Sequence, residues 1–234
     1  MKSSETTAKE NKIRDTLSFL NEEEAILSLY ETEEKMLRFF VYPMGEGMAE
    51  VTAQDMGLLS RNQKIEEMSG KITEKMTKYI IKVFEVLEQA GFSEVTFVER
   101  KGTNFEQILR STEVVQKIYS EFMMKSPKKR ATTTSSCVDK TEKMEYSEDE
   151  GGYVCRNKDG SFFARVSSYQ DGWYVYEVEV SYDKRRIGIG TECMRNLMER
   201  FPQLYLQVGS YNEAAMGLYR KLGFEVIEEL CYYA

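Results

Sequence analysis

The chain has 234 residues, 41% hydrophobic and 30% charged, the balance of a folded globular protein rather than a disordered one. It contains no histidine, which excludes Ser-His-Asp and Cys-His catalysis, an imidazole base and His-ligated metals, so no metal site is expected. A net charge of −7 argues against a nucleic-acid partner, and no apolar run reaches the roughly 18 residues that a membrane helix needs. The four cysteines (Cys137, Cys155, Cys193 and Cys231) are far apart and form no C-x-x-C pair, so they read as small buried residues of a reducing compartment. The opening stretch MKSSETTAKENK is polar and shows no apolar h-region, and the expected address is cytoplasmic.

Along the first half, Leu17, Leu20, Ile26, Leu27 and Tyr30 stand at helix-like spacing around an acidic turn. The run MLRFFVY fits strand or helix, and residues 49–69 read as helix with poor patterning. Residues 71–90 make the best helix, with Ile72, Met76, Tyr79, Ile80, Val83, Phe84 and Leu87 on one stripe and Gly91 as the stop. EVTFVE reads as a strand, residues 104–109 as a second helix, and residues 114–124 as a closing strand.

Residues 126–141 hold Pro127, a basic triplet and a Ser/Thr cluster, the best linker in the chain. Domains are therefore expected at 1–130 and 131–234, the second carrying more of the acidic excess. Beyond the linker, D-G turns separate three alternating strands. The period then changes to helix over 190–201, strand over 204–208, helix over 212–222 and strand over 225–233. The order β-β-β-α-β-α-β describes an α/β protein with a mixed sheet.

Two segments of this half carry chemistry. In the first, the strand YVYEVEV runs through SYDKRRIGIG into a helix. Gly188 and Gly190 allow close backbone approach, and the amides from Arg186 to Thr191 emerge at a helix N-terminus suited to a pyrophosphate. Arg185 and Arg186 add charge. A plain strand-to-helix turn with surface arginines is the alternative. In the second, LYLQV precedes Asn212 at an N-cap position and a helix carrying Leu218 and Tyr219; a simple cap and a packed aromatic would explain both.

Taken together, R-R-I-G-I-G at residues 185–190 and N-E-A-A-M-G-L-Y-R-K-L-G-F at 212–224 resemble the two signature blocks of the Gcn5-related N-acetyltransferase (GNAT) family. The resemblance covers residues 143–234 and implies the acyl-CoA N-acyltransferase fold with acetyl-CoA as co-substrate. It implies that the backbone of Arg186, Ile187, Gly188, Ile189, Gly190 and Thr191 holds the pyrophosphate. The strand around Val178 and Val180 would splay from its neighbour and pair with the pantetheine, with Asn212 and Ala215 also contacting the cofactor. Tyr219 would meet the leaving thiolate. The acceptor would be a small-molecule or peptide amine attacking the thioester directly.

The base is less defined. Strict alternation puts Val175, Glu177 and Glu179 on one strand face and Tyr174, Tyr176, Val178 and Val180 on the other, so Glu177 and Glu179 are the candidates. An anchor for a cationic substrate, or a solvated face, is the alternative. Some members of that family carry a glutamate where this strand reads Gln207, and glutamine cannot act as a base. The first half repeats the α-β-α-β order without either motif, and resembles a degenerate second copy of the fold in a tandem arrangement. Three readings follow: an N-acetyltransferase, a CoA-binding sensor or regulator of weak activity, and, last, transfer to an alcohol or thiol. A homodimer is compatible with all three.

Overall fold

Period-two alternation governs the start of the chain: Ala25, Leu27 and Leu29 are fully buried, with Ile26 and Ser28 between them less so. The expected helical reading of residues 16–30 is therefore wrong. This segment is a hairpin of β1 (Arg14–Phe19) and β2 (Ala25–Thr32), whose register runs from Arg14↔Tyr30 to Phe19↔Ala25. The structure, a computed structural model, describes residues 13–32, 35–53, 70–128, 144–149 and 151–234. MLRFFVY lies in β3 (Lys35–Gly45), and β4 (Met48–Ala53) replaces the helix expected from residue 49; the rest of that expected helix, 54–69, lies outside the described residues.

The helix expected at 71–90 is α1 (Gly70–Gln89), followed by β5 (Glu94–Arg100), α2 (Asn104–Ser111) and β6 (Lys117–Lys125). The linker reading falls mostly outside the described residues. The second half has one strand more than expected: β7 (Met144–Asp149) precedes β8 (Gly152–Asn157), β9 (Phe162–Tyr169) and β10 (Gly172–Val180). Then come α3 (Ile189–Arg200), β11 (Leu204–Gly209), α4 (Glu213–Lys221) and β12 (Glu225–Tyr233). The order β-β-β-β-α-β-α-β thus occurs twice, once from β1 to β6 and once from β7 to β12. In each repeat the fourth and fifth strands pair in parallel.

Compactness divides the chain into one unit of residues Met1–Ile118 with Cys231–Ala234, and another of Tyr119–Leu230. Nearly all of β6, encoded by the first repeat, belongs to the second unit, and the end of β12 belongs to the first. In the first unit the strands run β1-β2-β3-β4-β5. Its core packs Leu27, Phe39, Val41 and Phe97 against the α1 stripe of Met76, Tyr79, Ile80, Val83 and Leu87, and against Phe105, Ile108 and Leu109 of α2. Phe39, Phe84, Phe97 and Phe105 meet mostly edge to face, with centroids 5.5–6.3 Å apart.

In the second unit the order is β6-β11-β10-β9-β8-β7. Phe162, Ala164, Val166, Val175, Leu204, Leu206 and Met124 from the strands pack on Cys193, Met194 and Leu197 of α3 and on Met216 and Tyr219 of α4. Each such fully buried side chain contributes roughly 1.5–3 kcal/mol relative to exposure. Cys155, Cys193 and Cys231 are buried and outside any disulfide, as their role as small core residues predicts, and burial pushes the Cys155 thiol up to about 11.

Candidate active site

The parallel ladder of β10 and β11 is short. It joins Trp173↔Leu204, Tyr174↔Tyr205 and Val175↔Leu206, and has no pair beyond them. Past Val175 the register of β10 on β9 shifts between Tyr176 and Glu179, and Glu177 sits in the left-handed region at φ 53°. This is a β-bulge, in which an extra residue is inserted and the strand bends. The bulge corrects the face assignment made from strict alternation. Val175, Val178 and Val180 all pack toward the core cluster, while Glu179 is exposed. Glu177 is turned out against Arg165, whose Nε lies 2.9 Å from its carboxylate.

The turn that follows is shaped by backbone rather than by side chains. Arg185 is extended (φ −73°, ψ 154°), Arg186 is left-handed at φ 68°, and Gly188 at φ 101° precedes the first turn of α3. A turn of this kind can present its backbone amides to an anion. Gly188 offers no side-chain cap, and the first intrahelical bond at this end is Glu192 N–H to the Gly188 carbonyl. The amides of Ile189, Gly190 and Thr191 therefore have no intrahelical acceptor, and the helix dipole adds to their pull on negative charge. Arg185 is anchored by its Nε donating to the Val180 carbonyl at 2.9 Å, with its guanidinium 5.6 Å from the Tyr182 ring.

Asn212 caps α4, its side-chain oxygen accepting from the Ala215 amide at 3.1 Å. Tyr219, two turns on, is 6% exposed and packs on the Phe224 ring at 5.6 Å. Burial pushes its phenol up to about 12, so it stays protonated near neutrality.

These elements enclose a cleft of about 700 Å³. Of the residues singled out in the sequence, Val178, Glu179, Val180, Arg185, Arg186, Gly188, Gly190, Thr191, Asn212, Ala215 and Tyr219 line it. Glu177, Ile187 and Ile189 are not among the lining residues: Ile187 is an exposed side chain and Ile189 packs on the core. Leu218 of the second segment lines it too, and sequence reasoning missed Lys184, Glu213, Ala214, Gly217 and Lys221, which also line the cleft. The signal for Lys221 was available, since Leu218 and Lys221 lie three and six residues past Ala215 on one helix. The cleft thus joins a cationic, amide-rich mouth to an apolar wall of valines, Ala215 and Leu218, with one protonated phenol. Among the described residues no cluster of Cys, Asp or Glu could hold a metal, and no helix is long and apolar enough to cross a membrane.

The model of the acetyltransferase (GNAT) family matches residues 115–224. N-alpha-acetyltransferase 50 of Danio rerio is 36% identical over 77 residues, 30% of this chain and 46% of that protein, so the match spans less than half of that relative. Among solved structures, the GCN5-related N-acetyltransferase from Sphaerobacter thermophilus superposes with a TM-score of 0.61 at 10% identity, covering 92% of this chain and 81% of that one. A tandem GNAT protein from the clavulanic acid biosynthesis pathway gives 0.56 at 10% identity, covering 90% and 82%. At such identities the likeness is one of fold, and it extends through both repeats. The chain has the α/β GNAT fold, and over residues 115–224 it carries a domain of the acetyltransferase (GNAT) family.

Proposed function

We propose that the second unit is an N-acetyltransferase that takes acetyl-CoA in the cleft and transfers its acetyl group to an amine within a ternary complex. The observation that carries this reading is the coincidence, in one cleft, of the left-handed Arg186–Gly188 turn, the open edge of β10 past Val175, and the buried phenol of Tyr219. The amides and arginines suit a pyrophosphate, the unpaired edge of β10 suits an extended amide-bearing arm, and the phenol suits a leaving thiolate.

Direct attack balances without an acyl-enzyme. The amine nitrogen bonds to the thioester carbonyl carbon, the C–S bond breaks, and the thiolate takes a proton as it leaves. The likeness to N-alpha-acetyltransferase 50 favours an α-amino group as acceptor. We read the first unit as a degenerate copy of the same fold. The composition of the whole chain suits a reducing, cytoplasmic setting.

A sensor that binds CoA without efficient transfer is the second reading, favoured by glutamine at position 207 and by the engagement of Glu177 with Arg165. Thiol release from acetyl-CoA, followed in the presence of peptides with free and blocked N-termini, separates the two. Release that depends on a free α-amine supports the enzyme. Tight acetyl-CoA binding with no release for any amine supports the sensor.

A further inference from the structure

The sheet of the second unit has two chemically different faces where β10 and β11 part. Met124 of β6, Leu206 and Val208 of β11 and Val175 of β10 belong to the core cluster with α3 and α4, the helices that line the cleft, and the partly buried Phe122 of β6 packs against it. Glu121, Gln207 and Tyr174 alternate with them and so stand on the opposite face. There Gln207 Nε2 donates to the carboxylate of Glu121, one strand over. The Tyr174 phenol is held above its ordinary value by burial and then by the charge of Glu121. Tyr119, on the same face of β6 as Glu121, packs edge to face on Tyr211 at 5.8 Å, and Tyr174 stacks on Tyr176 at 6.3 Å.

Gln207 is the first residue of β11 beyond its last pair with β10. An acyl group delivered from the helix side through that gap would meet a carboxylate among tyrosines on the far side. We infer that Glu121, a residue encoded by the first repeat, holds the acceptor ammonium and takes its proton, oriented by Gln207. The acceptor class is a primary ammonium carried on an apolar or aromatic group, which the tyrosine faces accommodate. The inference rests on the acyltransferase reading above. In the step, R–NH3⁺ gives one proton to the Glu121 carboxylate and becomes R–NH2. Its lone pair forms the C–N bond as the C–S bond breaks. The surplus N–H proton ends on the departing thiolate, and Glu121 returns its proton to solvent.

The test compares wild type, E121Q and E121D with two acceptors: n-butylamine, which is protonated at neutral pH, and 2,2,2-trifluoroethylamine, which is largely unprotonated there. The expected result is a fall of about 100-fold or more in kcat for n-butylamine in E121Q, partial recovery in E121D, and little change for trifluoroethylamine. Acetyl-CoA affinity stays within about twofold in both variants. Equal losses for the two amines, or wild-type rates in E121Q, overturn the role of Glu121 alone. Absence of acetyl-CoA binding to wild type overturns the acyltransferase reading with it. If turnover is slow for both amines, calorimetry of n-butylammonium with the acetyl-CoA complex decides. A roughly tenfold weaker Kd in E121Q supports the role, and an unchanged Kd, or no binding to wild type, overturns it.

Discussion

The carboxylate of Glu99 accepts a hydrogen bond from the backbone amide of Ala53 at 2.6 Å. It also receives the hydroxyls of Thr52 and Thr103 at 3.3 and 3.4 Å. The ladder of β4 and β5 ends at Val51↔Phe97, so this side chain ties the two strands together just where their pairing stops. The parallel strands of the second unit diverge at the corresponding step, after Val175 and Leu206, and there a cleft opens. The two repeats thus treat the same junction in opposite ways, one closed by a side chain and one left open.

Glu99 makes stability depend on pH. Burial, at 6% exposure, outweighs its three hydrogen bonds and pushes it up from 4.5 to about 7. The native state therefore keeps a proton that the unfolded chain loses near pH 4.5, and the contribution of Glu99 to stability falls as pH rises between 4.5 and 7. The span corresponds to about 3 kcal/mol. Urea unfolding of wild type and E99Q at pH 4.5 and pH 8 checks this. The expected outcome is that wild type loses about 2–3 kcal/mol relative to E99Q across that range. A constant difference contradicts it.

Asn212 has two separable tasks. Its side-chain oxygen caps α4 through the Ala215 amide, and the residue lines the cleft, where we propose that its amide group meets acetyl-CoA. Asn212→Ala is expected to cost about 1 kcal/mol of stability through the lost cap. Asn212→Asp keeps the cap but removes the N–H donor, so it should fold like wild type and bind acetyl-CoA roughly tenfold more weakly. Thermal unfolding paired with a binding titration resolves the two effects.

Tyr219 stays protonated near neutrality, with its phenol at about 12. Tyr219→Phe keeps the contact with the Phe224 ring and removes the hydroxyl alone. In steady-state kinetics, kcat is expected to fall about 10–100-fold with KM for acetyl-CoA within about twofold, because in the proposed mechanism the hydroxyl acts on the departing thiolate. A rise in KM at constant kcat would assign the hydroxyl to ground-state binding instead.

Much of the second unit was legible in the sequence. The glycines at 188 and 190, the N-cap at 212 and the tyrosine at 219 occupy adjoining positions that local rules read well, because each acts through its own turn or helix end. The errors have identifiable causes. Leu17, Leu20, Ile26, Leu27 and Tyr30 fit a helical period by coincidence, while the alternate burial of Ala25, Leu27 and Leu29 marks a strand. The bulge at Glu177 turned the face of every later residue of β10, and no turn residue in VYEVEV signals it. Glu121 meets Gln207 across 86 positions of sequence, through a β6–β11 pairing that no local pattern encodes.

The proposed anion site for acetyl-CoA is the turn at residues 185–191. Gly188 lines the cleft at φ 101°, with nothing within 4 Å of the position a Cβ would take, so a large side chain there is strained by the backbone and projects into free space. Calorimetric titration of acetyl-CoA into wild type and Gly188→Trp, both verified as folded by circular dichroism, is the most direct measurement. One-site binding to wild type and a loss of about 100-fold or more in the variant are expected. Equal affinity in the two proteins, or no binding to wild type, contradicts the proposed site.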